Sequence, residues 1–142
     1  MPKFLNDTMF DAKKIIDLGD FMKEYFNAYK TSLDLYFNVI DRDQLMDFSN
    51  FSDDALECAC HIGDTYRMMS DFKEAFKWLQ QGYEELVTRN GKSDYRSLKS
   101  LELLSSLSIA MGNYQKAKQF SQKLYLSVEA KQIKNDEKLA DA

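Results

Sequence analysis

Ser70-Asp71-Phe72-Lys73-Glu74-Ala75 returns 42 residues later as Gly112-Asn113-Tyr114-Gln115-Lys116-Ala117. In each stretch a small residue and an Asx precede an aromatic, and an alanine follows three residues on. The small residue suits a helix C-terminus and the Asx suits the cap of the next helix. Asp71 and Glu74 also have capping-box spacing. A connection this short between helices makes them antiparallel neighbours, so each stretch predicts a helical hairpin. Gly19-Asp20-Phe21-Met22-Lys23-Glu24 continues the series 51 residues upstream of the first, with Glu24 where the other two carry alanine.

Apolar residues flank these turns at steps of three and four, and alternation of period two is absent. Phe21, Tyr25, Ala28, Tyr29, Ser32, Leu35, Tyr36 and Val39 make one stripe; Phe72, Ala75, Phe76, Leu79, Tyr83 and Leu86 make another. Between them Ala55, Ala59, Ile62, Gly63, Tyr66 and Met69 follow Ser52-Asp53-Asp54, a capping hydroxyl with acids suited to a helix N-terminus. Leu98, Leu101, Leu104, Ser105, Ser108 and Met111 form a fourth stripe, and Tyr114, Ala117, Ser121, Leu124 and Val128 a fifth. Met9, Ala12, Ile15 and Ile16 form a weaker one at the start. The fold class is all-α, and polar links at 41–52 and 89–94 separate one hairpin from the next.

Composition agrees with long helices. A single Pro, at position 2, and five Gly leave little to interrupt them, and 44% hydrophobic with 30% charged residues supply both core and surface. The 142 residues fit one domain. A net charge of −4 with interspersed signs gives no basic stripe for phosphates, which argues against nucleic acid, and an acidic surface repels anionic membranes. No run approaches the ~20 apolar residues of a membrane span, and the N-terminus lacks the charged-then-apolar order of a secretory signal, so a cytoplasmic address is expected.

The middle hairpin resembles the tetratricopeptide repeat: Gly63, Tyr66, Asp71, Phe72 and Ala75 fall where that pattern places a small residue, an aromatic, the turn and the alanine, with Leu79 and Gly82 following. In the last hairpin Leu104, Ser105, Gly112, Tyr114 and Ala117 fit, while Ser108 replaces the aromatic. Repeats at 54–88 and 94–128, a divergent first hairpin at 9–41 and a polar C-terminal helix or tail at 129–142 are then expected within a single domain. The repeat exceeds the family's ~34 residues, the surplus lying in Arg89-Asn90-Gly91-Lys92-Ser93-Asp94, so it resembles the longer-repeat variety. The resemblance implies about six to seven helices stacked as a short right-handed solenoid; an ordinary helical bundle is the alternative.

Chemistry-bearing residues are few. Cys58, Cys60 and His61 are soft metal ligands, but on a helix they point over about 300° of arc and no second cluster completes a tetrahedron, so no metal or other cofactor is expected. Cys58 and Cys60 are read as reduced thiols. His61 and Asp64, three apart, could share a helical face as an acid-base pair or as an ordinary solvated one. No phosphate loop or nucleophile motif is present, and the chain is not expected to be an enzyme. Trp78 lies off its stripe, either shielding a neighbouring helix or exposed as a contact anchor.

The resemblance implies protein binding in a groove lined by the first helix of each pair. That face would carry Glu57, Cys60, Asp64, Arg67 and Met68 in the middle unit, and Lys99, Glu102, Ser106 and Ile109 in the last. Of the positions at which such repeats clamp a chaperone's C-terminal carboxylate, only Lys99 fits, so a peptide or helix of another protein partner is the better expectation, as for an adaptor or scaffold. Bacterial regulators of this repeat type and class II secretion chaperones are the alternative. An apolar face left open over 114–128 would make self-association the expectation.

Overall fold

The computed structural model describes residues 11–42 and 47–141, and every regular element among them is helical. In order these are α1 (Ala12–Phe26), α2 (Tyr29–Arg42), a single 3-10 turn (Phe48–Asn50), α3 (Asp53–Met68), α4 (Phe72–Asn90), α5 (Tyr95–Ala110) and α6 (Tyr114–Asp141). The all-α expectation holds. Met9 of the first stripe and residues 43–46 of the first polar link lie outside the described residues. The chain divides into two compact units, Met1–Glu85 and Leu86–Ala142.

In the first unit the expected turn at Gly19-Asp20 is not a turn. Both residues sit inside α1, which ends at Phe26 on a left-handed Asn27 with φ of 51°. The reason is packing. A Cβ on Gly19 would lie 2.6 Å from Cε1 of Tyr36, so the glycine admits the ring of α2, and Ser32 donates its hydroxyl to the Gly19 carbonyl at 2.7 Å. Asn27 tolerates the left-handed region through its short polar side chain and supplies the turn instead.

Ser52 caps α3 as its sequence suggests, accepting the Ala55 N–H at 3.1 Å, with Asp53 and Asp54 in the first turn. α3 ends in a Schellman-type closure: Ser70 is left-handed with φ of 63°, and the Asp71 N–H reaches back to the Tyr66 carbonyl at 2.9 Å. Gly63 and Ala75 permit the close helix crossing expected of them. A Cβ on Gly63 would stand 2.6 Å from Leu79 Cγ and 3.3 Å from the Ala75 carbonyl. Leu56, Ala59, Ile62 and Leu79 are fully buried around this contact, and Ile15, Ile16, Tyr36 and Val39 fill the α1–α2 side. Each such aliphatic side chain contributes about 1.5–3 kcal/mol on burial. Trp78 takes the shielding role: it is 8% exposed, with its ring 5.5 Å from Phe37 and 5.4 Å from Phe48.

In the second unit Asp94 caps α5, and Gly112, with φ of 75°, closes it; the Asn113 N–H bonds the Ser108 carbonyl at 2.8 Å. Leu101, Leu104 and Leu107 are fully buried. The α5–α6 seam is closed by hydroxyls: Ser105 Oγ donates to the Ala117 carbonyl at 3.3 Å and lies 2.7 Å from Ser121 Oγ. The stripe expected on α6 is rotated. Ala117, Phe120 and Ser127 are buried, whereas Tyr114 and Val128 are exposed, because the serine seam fixes which side of α6 meets α5. Residues 129–141 continue α6 without interruption.

The three turns share one pivot, a left-handed residue, and the α3 and α5 closures also share their bonding, the next N–H reaching five residues back there and six after α1. Asn27, Ser70 and Gly112 are the left-handed residues, 43 and 42 residues apart. Five residues after each comes a small one, Ser32, Ala75 or Ala117. Close contacts across the hairpins join Gly19 to Tyr36, Gly63 to Leu79, and Ser105 to Ser121. α1 differs by one residue, since Gly19 lies eight before its turn residue and Gly63 and Ser105 lie seven before theirs.

Candidate functional site on the polar face of α3

Side chains four residues apart share a helical face, and on α3 that face carries Glu57, His61, Asp64, Arg67 and Met68. Within the first unit α1 presents Asp20 and Lys23 to it. His61 Nδ1 lies 2.9 Å from Asp20 Oδ1, and Lys23 Nζ lies 3.4 Å from Asp64 Oδ2. Glu57 Oε1 stands 3.8 Å from His61 Nε2. Arg67 donates to Asp64 Oδ1 from Nε at 3.0 Å and from a terminal nitrogen at 2.7 Å. Tyr36 of α2 closes the network from behind, donating to Asp20 Oδ1 at 2.5 Å and stacking on the His61 ring at 5.5 Å. Lys23 Nζ also sits 5.8 Å from the centre of the Tyr36 ring.

The environment sets the charge of each group. Burial favours a neutral His61, but its hydrogen bonding to Asp20 and Glu57 and the charge of Asp20 outweigh it, and the imidazole pKa is pushed up to about 9. Burial would raise Asp20, yet the bond to and charge of His61, then Tyr36 and Lys23, hold its carboxyl below the ordinary 3.8. Burial, joined by the Asp20 carboxylate, pushes the Tyr36 hydroxyl upward. At neutral pH His61 is therefore an imidazolium held against the Asp20 carboxylate.

The candidate pair His61 and Asp64 does not form. His61 turns to Asp20 and Glu57, while Asp64 is held by Lys23 and Arg67. Cys58 is buried in the core, where burial, with Glu57 and Asp20 adding to it, drives its thiol pKa upward. Cys60 is half-buried, its sulfur 3.4 Å from where a Cβ on Gly82 would sit. Among the described residues no group of three or more His, Cys, Asp or Glu is placed to hold a metal ion.

Glu57, Asp64 and Arg67 are half-buried and Met68 is 39% exposed. On α5 of the second unit Lys99, Glu102, Ser106 and Ile109 are all exposed, and Lys99 Nζ lies 3.7 Å from Glu102 Oε2. Asp20, Lys23 and Tyr36 were not among the expected site residues. Their signal is in the sequence: Gly19-Asp20-Phe21-Met22-Lys23 matches Gly63-Asp64-Thr65-Tyr66-Arg67, 44 residues on. Assigning Gly19-Asp20 to a turn concealed it.

These observations define a class, an all-α chain of helical hairpins whose first unit sets the charged faces of α1 and α3 together. No family model matches the chain and no curated protein matches it. No helix among the described residues is long and apolar enough to cross a membrane.

Proposed function

We propose that the chain is a tetratricopeptide-type protein-interaction module that binds a peptide or helix of a partner protein along the polar faces of its first helices. In the first unit that surface is the α1–α3 face; in the second it is Lys99, Glu102, Ser106 and Ile109 of α5. The observation carrying this reading is the pair of cross-helix contacts, Asp20 to His61 and Lys23 to Asp64, which joins α1 to α3 through paired, largely buried charges. The shared turn geometry supports reading the hairpins as successive units.

Charged groups already fixed by their neighbours bind at lower entropic cost, which suits recognition. The same fixation argues against an enzyme. A base must be free to accept a proton near the working pH, and His61 is held as a cation between two carboxylates.

Affinity capture with cross-linking from the native cell, comparing the wild-type chain with Arg67→Glu/Lys99→Glu, tests the reading. A partner held by the wild type and lost by a variant that still melts cooperatively supports it. Unchanged capture by the folded variant removes both faces from consideration.

A further inference from the structure

α1 has an apolar side turned away from both α2 and α3. Leu18, Phe21 and Tyr25 are 43%, 47% and 71% exposed, and the Phe21 ring lies 4.8 Å from that of Tyr25 and 5.6 Å from that of Phe26. With Lys14 these residues step by four, three and four, the a and d spacing of a helix seam. At 100° per residue the seam spans about 60° of the helix. Asp20 and Lys23, which meet α3, lie on the other side. One flank of the seam carries Asp17 and Glu24, both exposed.

The same positions 44 residues on show what such a side accepts. In α3 they are Cys58, Ile62, Thr65 and Met69, of which the first three are fully buried. α2 packs on that helix, with the Tyr36 ring stacked on His61. A helix is thus the cover that this hairpin geometry supplies. The flank differs in charge: His61 stands where α1 has Asp17, and Met68 where it has Glu24. α1 therefore offers two carboxylates where α3 offers an imidazole and a thioether.

We propose that this outer side of α1 docks an amphipathic helix of another protein, with aliphatic residues on its seam and Lys or Arg on the flank facing Asp17 and Glu24. Charge selects this occupant over a second copy. Two α1 helices laid antiparallel would set Asp17 and Glu24 of one against those of the other, and laid parallel would set Lys14 against Lys14. On this side of α1 Asp11, Asp17 and Glu24 outnumber Lys14, and acids outnumber bases over residues 1–85, so the surrounding field attracts a cationic partner. Flanking charges of this kind govern which partner is chosen, while the apolar seam supplies the affinity. The α1–α3 face proposed to bind a peptide is a separate surface, so either can hold a partner without the other.

Titration of the full 142-residue chain with two synthetic helices of about 15 residues, the length of α1, is the test. Both carry Leu along the seam; one has Lys and the other Glu on its flanks. The Lys helix should bind at least about tenfold more tightly than the Glu helix. Asp17→Lys/Glu24→Lys, at two exposed positions, should reverse that order. Phe21→Asp should weaken binding of the Lys helix by roughly 30-fold or more, the scale of an interface hot spot. Because that substitution adds an acid, an attraction of charge alone would strengthen binding instead. Equal binding of the two helices overturns the proposal, as does an order that Asp17→Lys/Glu24→Lys leaves unchanged or Lys-helix binding that Phe21→Asp does not weaken. A chain that binds neither helix overturns it too, including the case in which residues 1–10 hold the face. Sedimentation showing self-association that Phe21→Asp abolishes would assign the face to a second copy and overturn it likewise.

Discussion

α3 and α5 occupy equivalent places in their hairpins, each with its close-contact residue, Gly63 or Ser105, seven positions ahead of a left-handed turn, yet their polar faces are built on different terms. On α3 the acid Asp64 is shared by a buried lysine and a half-buried arginine. On α5 Ser106 and Ile109 stand where α3 has Asp64 and Arg67, and the ion pair there, Lys99 with Glu102, lies in solvent. The difference teaches that one hairpin geometry can place charge either as internal bracing or as free surface. Charges in the first state are costly to remove and would meet a partner already ordered, whereas those in the second must be ordered on binding.

The largest expected effect breaks this contrast from the α3 side. Asp64→Ala strands Lys23, which is 6% exposed, and should destabilise the chain by about 3–5 kcal/mol, as removal of one member of a buried pair does. Glu102→Ala, which breaks the exposed pair on α5, should cost about 0.2–1 kcal/mol at most. Urea denaturation of both variants measures the gap; equal losses would dissolve the distinction.

Next comes the tight crossing. Gly63→Ala drives a methyl to 2.6 Å from Leu79 Cγ, an overpacking that costs about 1–3 kcal/mol and exceeds the ~1 kcal/mol an alanine gains in helix propensity. Ser105→Ala at the equivalent place on α5 adds no atom and should lose only the hydroxyl's bonds, about 0.5–1.5 kcal/mol. Thermal melts rank the two.

The network also carries a pH signature. His61 has a folded-state pKa pushed up to about 9 from 6.5, so its contribution is full below about 6.5 and is lost as pH rises through 9. Asp20, depressed below 3.8, contributes above that value and loses its part as pH falls past it. Denaturation midpoints of the wild type should fall between pH 7 and 9.5, and those of His61→Gln should stay flatter. Parallel curves would remove His61 from the bracing role. The smallest effect is at the turns: Ser70→Gly relieves a left-handed serine, φ 63°, and should raise stability by about 1 kcal/mol or less.

The hairpins were legible from the Ser70-to-Ala75 and Gly112-to-Ala117 stretches because turn chemistry and helical period agree there. The first hairpin was legible as helix but not in register. Gly19 reads as punctuation in sequence, and only the Tyr36 ring lying against it reveals a packing glycine. The outer face of α6 was misread for a related reason: Tyr114, Ser121 and Val128 keep the right spacing, but spacing cannot tell which of two amphipathic sides meets α5. Half of the charged site was found on α3. The rest, Asp20, Lys23 and Tyr36, depends on which helices become neighbours, a property that no single stripe encodes.

The central claim is that the α1–α3 face binds a partner. Peptides selected from a random library against the 142-residue chain, then mapped by amide chemical-shift perturbation, test it most directly. The account predicts that the perturbed amides cluster around Asp20, Lys23, His61 and Arg67 and that Arg67→Gln weakens binding by about tenfold, the scale of one charge-assisted hydrogen bond. Selected peptides that perturb other surfaces and bind the Arg67→Gln chain equally well would contradict it.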